Sequence, residues 1–165
     1  MNTNTSTIWV LGDDIDTDII IPTDYLALPT IDDMKQYAFS PLRPDLAQKI
    51  KPNDVIVAGK NFGCGSSREQ APEIIKALGI KAVIAKSFAR IFFRNAINNG
   101  LLLIENDQLQ QIVIEGEQLS LQINHAISYK GTDYPITPLP DNLLEIINEG
   151  GLVNAMRRKN GLPPL

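Results

Sequence analysis

The feature that most restricts the fold is an alternation between residues 54 and 104. Short apolar runs at Asp54-Val55-Ile56-Val57-Ala58, Ala82-Val83-Ile84-Ala85 and Leu101-Leu102-Leu103-Ile104 are separated by stretches long enough for a helix. The first separation holds a glycine loop and a helix over about Pro72 to Leu78, stopped by Gly79. The second holds a helix from about Phe88 to Asn98, stopped by Gly100. Glycine just past a helix end suits the left-handed conformation that closes it. Uninterrupted apolar strands alternating with such helices predict parallel β-α-β crossovers in a sheet covered on both faces.

The flanks read differently. Thr7 to Leu11 is a β-branched and aromatic strand that stops at the turn Gly12-Asp13-Asp14. From Pro22 to Pro52 the prolines at 22, 29, 41, 44 and 52 argue for loops and short helical pieces, the most flexible part of the chain. After Glu105, Ile112-Val113-Ile114, Leu119 to Ile123 and Tyr134-Pro135-Ile136 are separated by Glu115-Gly116-Glu117 and Lys130-Gly131-Thr132-Asp133, the grammar of antiparallel hairpins. A last helix fits Asp141 to Asn148, ended by Gly150-Gly151. The expectation is an α/β fold, one domain over residues 1–165, with parallel β-α-β units followed by hairpins.

Charge and soft ligands narrow the chemistry. A net charge of -4 over 165 residues supplies no positive field for a nucleic-acid partner. No apolar run approaches membrane-spanning length, and Met1 to Thr7 has neither a basic region nor an apolar signal core, so the chain reads as cytoplasmic with no membrane partner. Cys64 and His125 are the sole cysteine and histidine. An intrachain disulfide is impossible, and neither a cysteine-rich zinc site nor a four-cysteine cluster can be built from this chain. Any iron or zinc its chemistry needs arrives on another chain.

The loop after the Val55 strand reads Gly59-Lys60-Asn61-Phe62-Gly63-Cys64-Gly65-Ser66-Ser67-Arg68-Glu69-Gln70. Its glycines allow close backbone approach, and the helix that follows offers unpaired N–H groups and the positive end of a dipole. Ser66, Ser67 and Arg68 at that point can hydrogen-bond a carboxylate. Alternatively Ser66 or Ser67 only caps the helix, with Glu69 or Gln70 completing a capping box. Cys64 with His125 would be a nucleophile dyad or, alternatively, an inert thiol and an unrelated histidine. Asp13, Asp14, Asp16 and Asp18 lack the spacing of a calcium loop and are either turn residues or a divalent-metal cluster.

Three linked motifs are more specific. Gly12-Asp13-Asp14-Ile15-Asp16-Thr17-Asp18-Ile19-Ile20-Ile21-Pro22, then Asn61-Phe62-Gly63-Cys64-Gly65-Ser66-Ser67-Arg68-Glu69, then Ala85-Lys86-Ser87-Phe88-Ala89-Arg90-Ile91-Phe92-Phe93-Arg94-Asn95 through Leu101, in this order, resemble the small subunits of 3-isopropylmalate dehydratases. Those are the swivel-domain partners within the aconitase family, and the likeness runs over nearly the whole chain.

The resemblance implies a swivelling β/β/α domain of the kind found as the fourth domain of aconitases. It implies a two-chain hydro-lyase in which an iron–sulfur large subunit carries a [4Fe-4S] cluster, this chain holds no metal, and the substrate is a small dicarboxylate. By position, Ser66 is the expected base that removes the carbon-bound proton, and Ser67 and Arg68 hold substrate carboxylate. Thr17 and Asp18 match a Thr-Asp pair that supports the site. Cys64 stands where mitochondrial-type aconitases have glutamate. Tyr25, Leu26, Ala27 and Leu28 fall in the segment, within residues 22–52, that reads the substrate's side group in such enzymes.

Apolar Ala27 and Leu28 favour an alkylmalate, because a buried carboxylate without a partner costs several kcal/mol whereas each buried alkyl carbon gains about 0.8 kcal/mol. The leucine-pathway isomerisation of 2-isopropylmalate through 2-isopropylmaleate is the expected reaction. A related alkylmalate or homoaconitate, with Lys35, Arg43 or Lys60 meeting an extra carboxylate, and a non-catalytic carboxylate-binding module are the alternatives.

Overall fold

The computed structural model describes residues 5–165; Met1 to Asn4, part of the stretch read for a targeting signal, lie outside the described residues. Strands β1 (Thr5–Val10), β2 (Val55–Ala58), β3 (Ala82–Ala85) and β4 (Leu102–Glu105) pair in parallel in chain order, with Ile8 opposite Val55, Val55 opposite Ala82 and Ala82 opposite Leu102. From the other edge of β1, strands β5 (Gln118–Gln122), β6 (Ala126–Tyr129) and β7 (Thr132–Pro135) continue antiparallel. The sheet order is β4-β3-β2-β1-β5-β6-β7.

The helices are α1 (Thr17–Ile20), α2 (Ile31–Lys35), α3 (Leu46–Lys49), α4 (Gln70–Ala77), α5 (Arg90–Asn98), α6 (Leu109–Ile112), α7 (Asp141–Asn148) and α8 (Leu152–Lys159). Crossovers that step one strand at a time in one direction put their helices on one face. Accordingly α4 and α5 share a core with Ile56, Ala58, Val83, Ala85 and Leu103. The alternate side chains Val55, Val57, Ala82, Ile84 and Ile104 point the other way and meet Leu119, Leu121, Ile127 and Tyr129 of the antiparallel strands. Both faces of the parallel sheet are thus covered, one by helices and the other by the sheet's own antiparallel half, and the layers run β, β, α.

The proline-rich stretch forms the short helices α2 and α3 and a 3₁₀ turn at Thr23–Tyr25. Met34, Ala38, Phe39, Leu46, Ala47 and Ile50 from this stretch bury in the helical core. Helix α4 begins two residues before Pro72, which still falls in the first turn where proline is tolerated.

The structure corrects the reading of the second half. Ile112-Val113-Ile114 is not a strand but the end of α6 and the loop after it. Asn106 Oδ1 accepts from the N–H groups of Gln108 at 2.8 Å and Leu109 at 2.9 Å, which starts a helical turn that buries Leu109. The hairpin partner is instead β6, between β5 and β7. Helix α7 spans Asp141–Asn148 as the pattern predicts, and α8, which no pattern singles out, follows it across Gly150 and Gly151.

Candidate functional site

The site forms where the loops after β1 and β2 are zipped together at the same end of the parallel strands. Gly59 N–H donates to Gly12 O at 2.9 Å, Asp14 N–H to Lys60 O at 2.8 Å, and Gly63 N–H to Ile15 O at 2.7 Å. Side chains reinforce this: Asp13 Oδ1 accepts from Lys60 N–H at 2.7 Å, and Asp14 Oδ1 accepts from Asn61 Nδ2 at 3.1 Å. Asp16 Oδ1 caps α1 by accepting from Ile19 N–H at 2.9 Å. Asp13, Asp14 and Asp16 therefore each have a structural bond. Among the described residues no group of three or more His, Cys, Asp or Glu is placed to hold a metal ion.

The glycines of the loop answer a steric need. A Cβ on Gly59 would stand 1.8 Å from Asp13 Oδ1, and one on Gly63 would stand 2.1 Å from Cγ of buried Phe92, at a φ of +83°. Phe62, Phe88 and Phe92 form an edge-to-face and stacked trio under the loop, with centroids 5.4 to 6.5 Å apart. The chain is thereby drawn down onto α5, and Ser66 and Ser67 stay exposed.

Ser66 is held by its backbone. Its carbonyl accepts from the buried Thr17 hydroxyl at 2.9 Å and from Arg68 N–H at 2.9 Å, while Thr17 N–H donates to Cys64 O at 2.9 Å. Neither serine caps the following helix: α4 starts after Glu69, whose backbone is helical and whose side chain makes no capping bond. The simple capping reading of Ser66 and Ser67 is not realised.

The Arg68 side chain is 14% exposed, and both of its terminal nitrogens are engaged. Its Nη1 donates to Ile21 O at 2.7 Å, its Nη2 donates to Thr23 Oγ1 at 2.7 Å, and the same Nη2 forms an ion pair with Asp18. Thr17, Asp18, Ser66, Ser67 and Arg68 are thus brought together. Tyr25, Leu26, Ala27 and Leu28 are not brought into the same cleft. Tyr25 stacks on Tyr37 with centroids 4.0 Å apart, Leu26 and Leu28 lie against the helical core, and Ala27 is exposed. Arg68, through Ile21 and Thr23, is the link from the glycine loop to the start of that segment.

Cys64 is half-buried, and burial, then the carboxylates of Asp16 and Asp14, push its thiol up. A nucleophile or cluster ligand needs the thiolate, so these surroundings suit an inert thiol. His125 lies exposed in the turn between β5 and β6, and no hydrogen bond joins it to Cys64.

A cleft of about 610 Å³ opens over the loop, with Thr17, Ser66, Ser67 and Arg68 on one wall and Arg90 and Arg94 of α5 on the other. It combines exposed hydroxyls and guanidinium groups, a set suited to a small carboxylate. Arg90 and Arg94 are the charged lining residues to which sequence reasoning gives no role, although both stand in the third motif; their spacing of four on one helix was the available signal.

Residues 30–109 match the family model described as the aconitase C-terminal domain. A protein of Lachnospira eligens named 3-isopropylmalate dehydratase small subunit is 72% identical over 155 residues, covering 94% of this chain and 94% of that protein. One of Archaeoglobus fulgidus named 3-isopropylmalate dehydratase small subunit 1 is 51% identical over 88% of this chain and 91% of its own length. The crystal structure of 3-isopropylmalate dehydratase (leuD) from Methanocaldococcus jannaschii superposes with a TM-score of 0.89 at 40% identity, covering 95% of both chains. With its mixed sheet, its zipped loops and this degree of identity along nearly its full length, the chain belongs to the 3-isopropylmalate dehydratase small-subunit family of aconitase-type proteins.

Proposed function

We propose that this chain is the small subunit of a two-chain, cytoplasmic hydro-lyase that isomerises 2-isopropylmalate to 3-isopropylmalate through 2-isopropylmaleate, a step of leucine biosynthesis. The observation that carries the reading is the fixed, exposed Ser66 in the wall of a cleft whose lining contains arginines and no carboxylate.

Ser66 Oγ is assigned the carbon-bound proton. A serine hydroxyl is a weak base at neutral pH and acts only where its oxyanion is stabilised. Here the guanidinium of Arg68 lines the same cleft. Loss of that proton and of the neighbouring hydroxyl gives the alkene; returning them to the opposite carbons gives the isomer. Ser67 and Arg68 are assigned substrate carboxylate, Thr17 holds the Ser66 carbonyl, and Asp18 orients Arg68. Tyr25 to Leu28 are assigned the isopropyl group, reached when the segment anchored by Arg68 closes over the cleft.

One thiol, Cys64, does not supply the ligands of a cluster, so the [4Fe-4S] cluster is assigned to the large subunit, where it would supply the Lewis acid for the departing hydroxyl. The test is reconstitution with an iron–sulfur large subunit. The chain alone is inactive, the pair hydrates 2-isopropylmaleate, and Ser66→Ala in the pair lowers kcat by at least about a hundredfold while the two chains still associate. Near-normal turnover of the Ser66→Ala pair would remove the serine from its role.

A further inference from the structure

The cleft reverses the charge balance of the chain. The protein as a whole is acidic, with a net charge of -4, yet the lining of this one cleft carries Arg68, Arg90 and Arg94 and no aspartate or glutamate. Arg68 is already paired with Asp18. Arg90 and Arg94 are exposed, and among the described residues neither forms an ion pair. Arg90 also borders a shallow depression with Phe88, Phe93 and Glu105, again without an ion pair to Glu105.

Between the two arginines, Ile91 is 48% exposed. Helix α5 therefore presents a ridge of arginine, isoleucine and arginine along one wall of the cleft, with Arg90 and Arg94 one turn apart. Interface anchors are enriched in arginine beside buried apolar contacts, and their charges find partners across the interface. The cleft volume also exceeds what the substrate needs. About 610 Å³ lies in the range that encloses drug-sized ligands, and a small alkylmalate leaves much of it open to water. Proton abstraction by a serine calls for the opposite, a site closed to water.

We propose that the α5 ridge is a docking surface for the large subunit: Arg90 and Arg94 pair with an acidic, aspartate- or glutamate-bearing segment of that chain, and Ile91 packs against an apolar residue of it. That segment closes the outer part of the cleft. The proposal rests on the two-chain reading above and names the contact by which this chain's site is sealed.

The test titrates large subunit into fixed amounts of this chain and reads hydration of 2-isopropylmaleate, with affinity measured separately by calorimetry. The double reversal R90E/R94E raises the large-subunit concentration for half-maximal rate by at least about tenfold, because like charges then face each other. The milder R90Q/R94Q gives a smaller shift. It also flattens the loss of affinity that added salt causes with the unaltered chain. The control K51E/K159E changes net charge by the same amount away from the cleft and leaves the half-maximal concentration in place. Unchanged affinity in R90E/R94E with a folded far-ultraviolet spectrum would overturn the proposal. So would a raised KM for substrate at unchanged large-subunit affinity, which would make the arginines substrate ligands. Failure of the unaltered chain to bind any large subunit would remove the two-chain reading itself, and the docking surface with it.

Discussion

Thr17→Val asks whether one buried hydroxyl positions Ser66. Thr17 is 2% exposed, and its hydroxyl gives the Ser66 carbonyl a bond of 2.9 Å. Valine keeps the shape and the Thr17 N–H bond to Cys64 and removes only that donor. The carbonyl retains Arg68 N–H, so it is not orphaned, and the stability loss falls toward the low end of about 0.5–1.5 kcal/mol. For a chain of this size that lowers Tm by about 1–2 °C. Activity should suffer more, because a displacement of about 1 Å at a reacting group can cost a hundredfold in rate. The expected kcat of the reconstituted pair is about ten- to a hundredfold down. Thr17→Ser supplies the contrast. It removes a buried methyl group at a cost of roughly 1 kcal/mol but keeps the hydroxyl, so its melting temperature falls similarly while kcat stays within about threefold. Scanning calorimetry of the isolated chain and steady-state rates at saturating large subunit give the two readouts. Equal activity losses in the two variants, or an active Thr17→Val, would refute the positioning argument.

Other expectations follow from the same geometry. Gly63→Ala puts a Cβ 2.1 Å from Phe92 Cγ and 2.5 Å from Phe92 Cβ at a φ of +83°. Overpacking and the left-handed backbone together cost about 2–4 kcal/mol, or roughly 5–15 °C in melting temperature, and an unchanged melt would contradict the clash. Glu115 is bonded to Arg43 and to Val10 N–H, and the Arg43 guanidinium holds its carboxyl below the usual carboxylate range. Because the folded-state value lies below the unfolded one, its contribution is present above the ordinary carboxylate range and is lost as the pH falls through the depressed value. Both side chains are partly exposed, so Glu115→Gln is less stable than the unaltered protein by at most about 1 kcal/mol at neutral pH. Chemical melts of the two proteins should converge in acid; a gap that persists there would refute the assignment.

The parallel half of the fold was legible because its signals are local and repeated. Strands β2 to β4 are apolar without interruption, and a glycine in the left-handed region follows each connecting helix, Gly79 at φ +91° and Gly100 at φ +81°. The antiparallel half was read less well for a physical reason. Ala126–Tyr129 is strand because β5 and β7 flank it, whereas Ile112 to Ile114 has strand-like residues but is preceded by the Asn106 cap. In the site, chain spacing brought Ser66, Ser67 and Arg68 to the start of α4. It did not reveal that Arg68 is held by Ile21, Thr23 and Asp18, contacts made between residues 45 to 50 positions apart. The apolar character of Leu26 and Leu28 is met in this structure by contact with the helical core.

Strand β1 ties the two halves of the molecule, and this bears on how the chain is made. Its Ile8 to Val10 stretch bonds to β2, while Thr5 to Thr7 bonds to β5 around Leu119. Strand β1 thus meets its second neighbour only after roughly 110 further residues are made, about 5–20 s of synthesis. Until then one edge of β1 stays unpaired, and Ile8, fully buried in the finished molecule, lacks the strands that cover it. The helical layer with its parallel strands can condense early, so closure of the sheet over its second face is a late event in biosynthesis. The interval before that closure is when the nascent chain is most exposed to wrong strand partners.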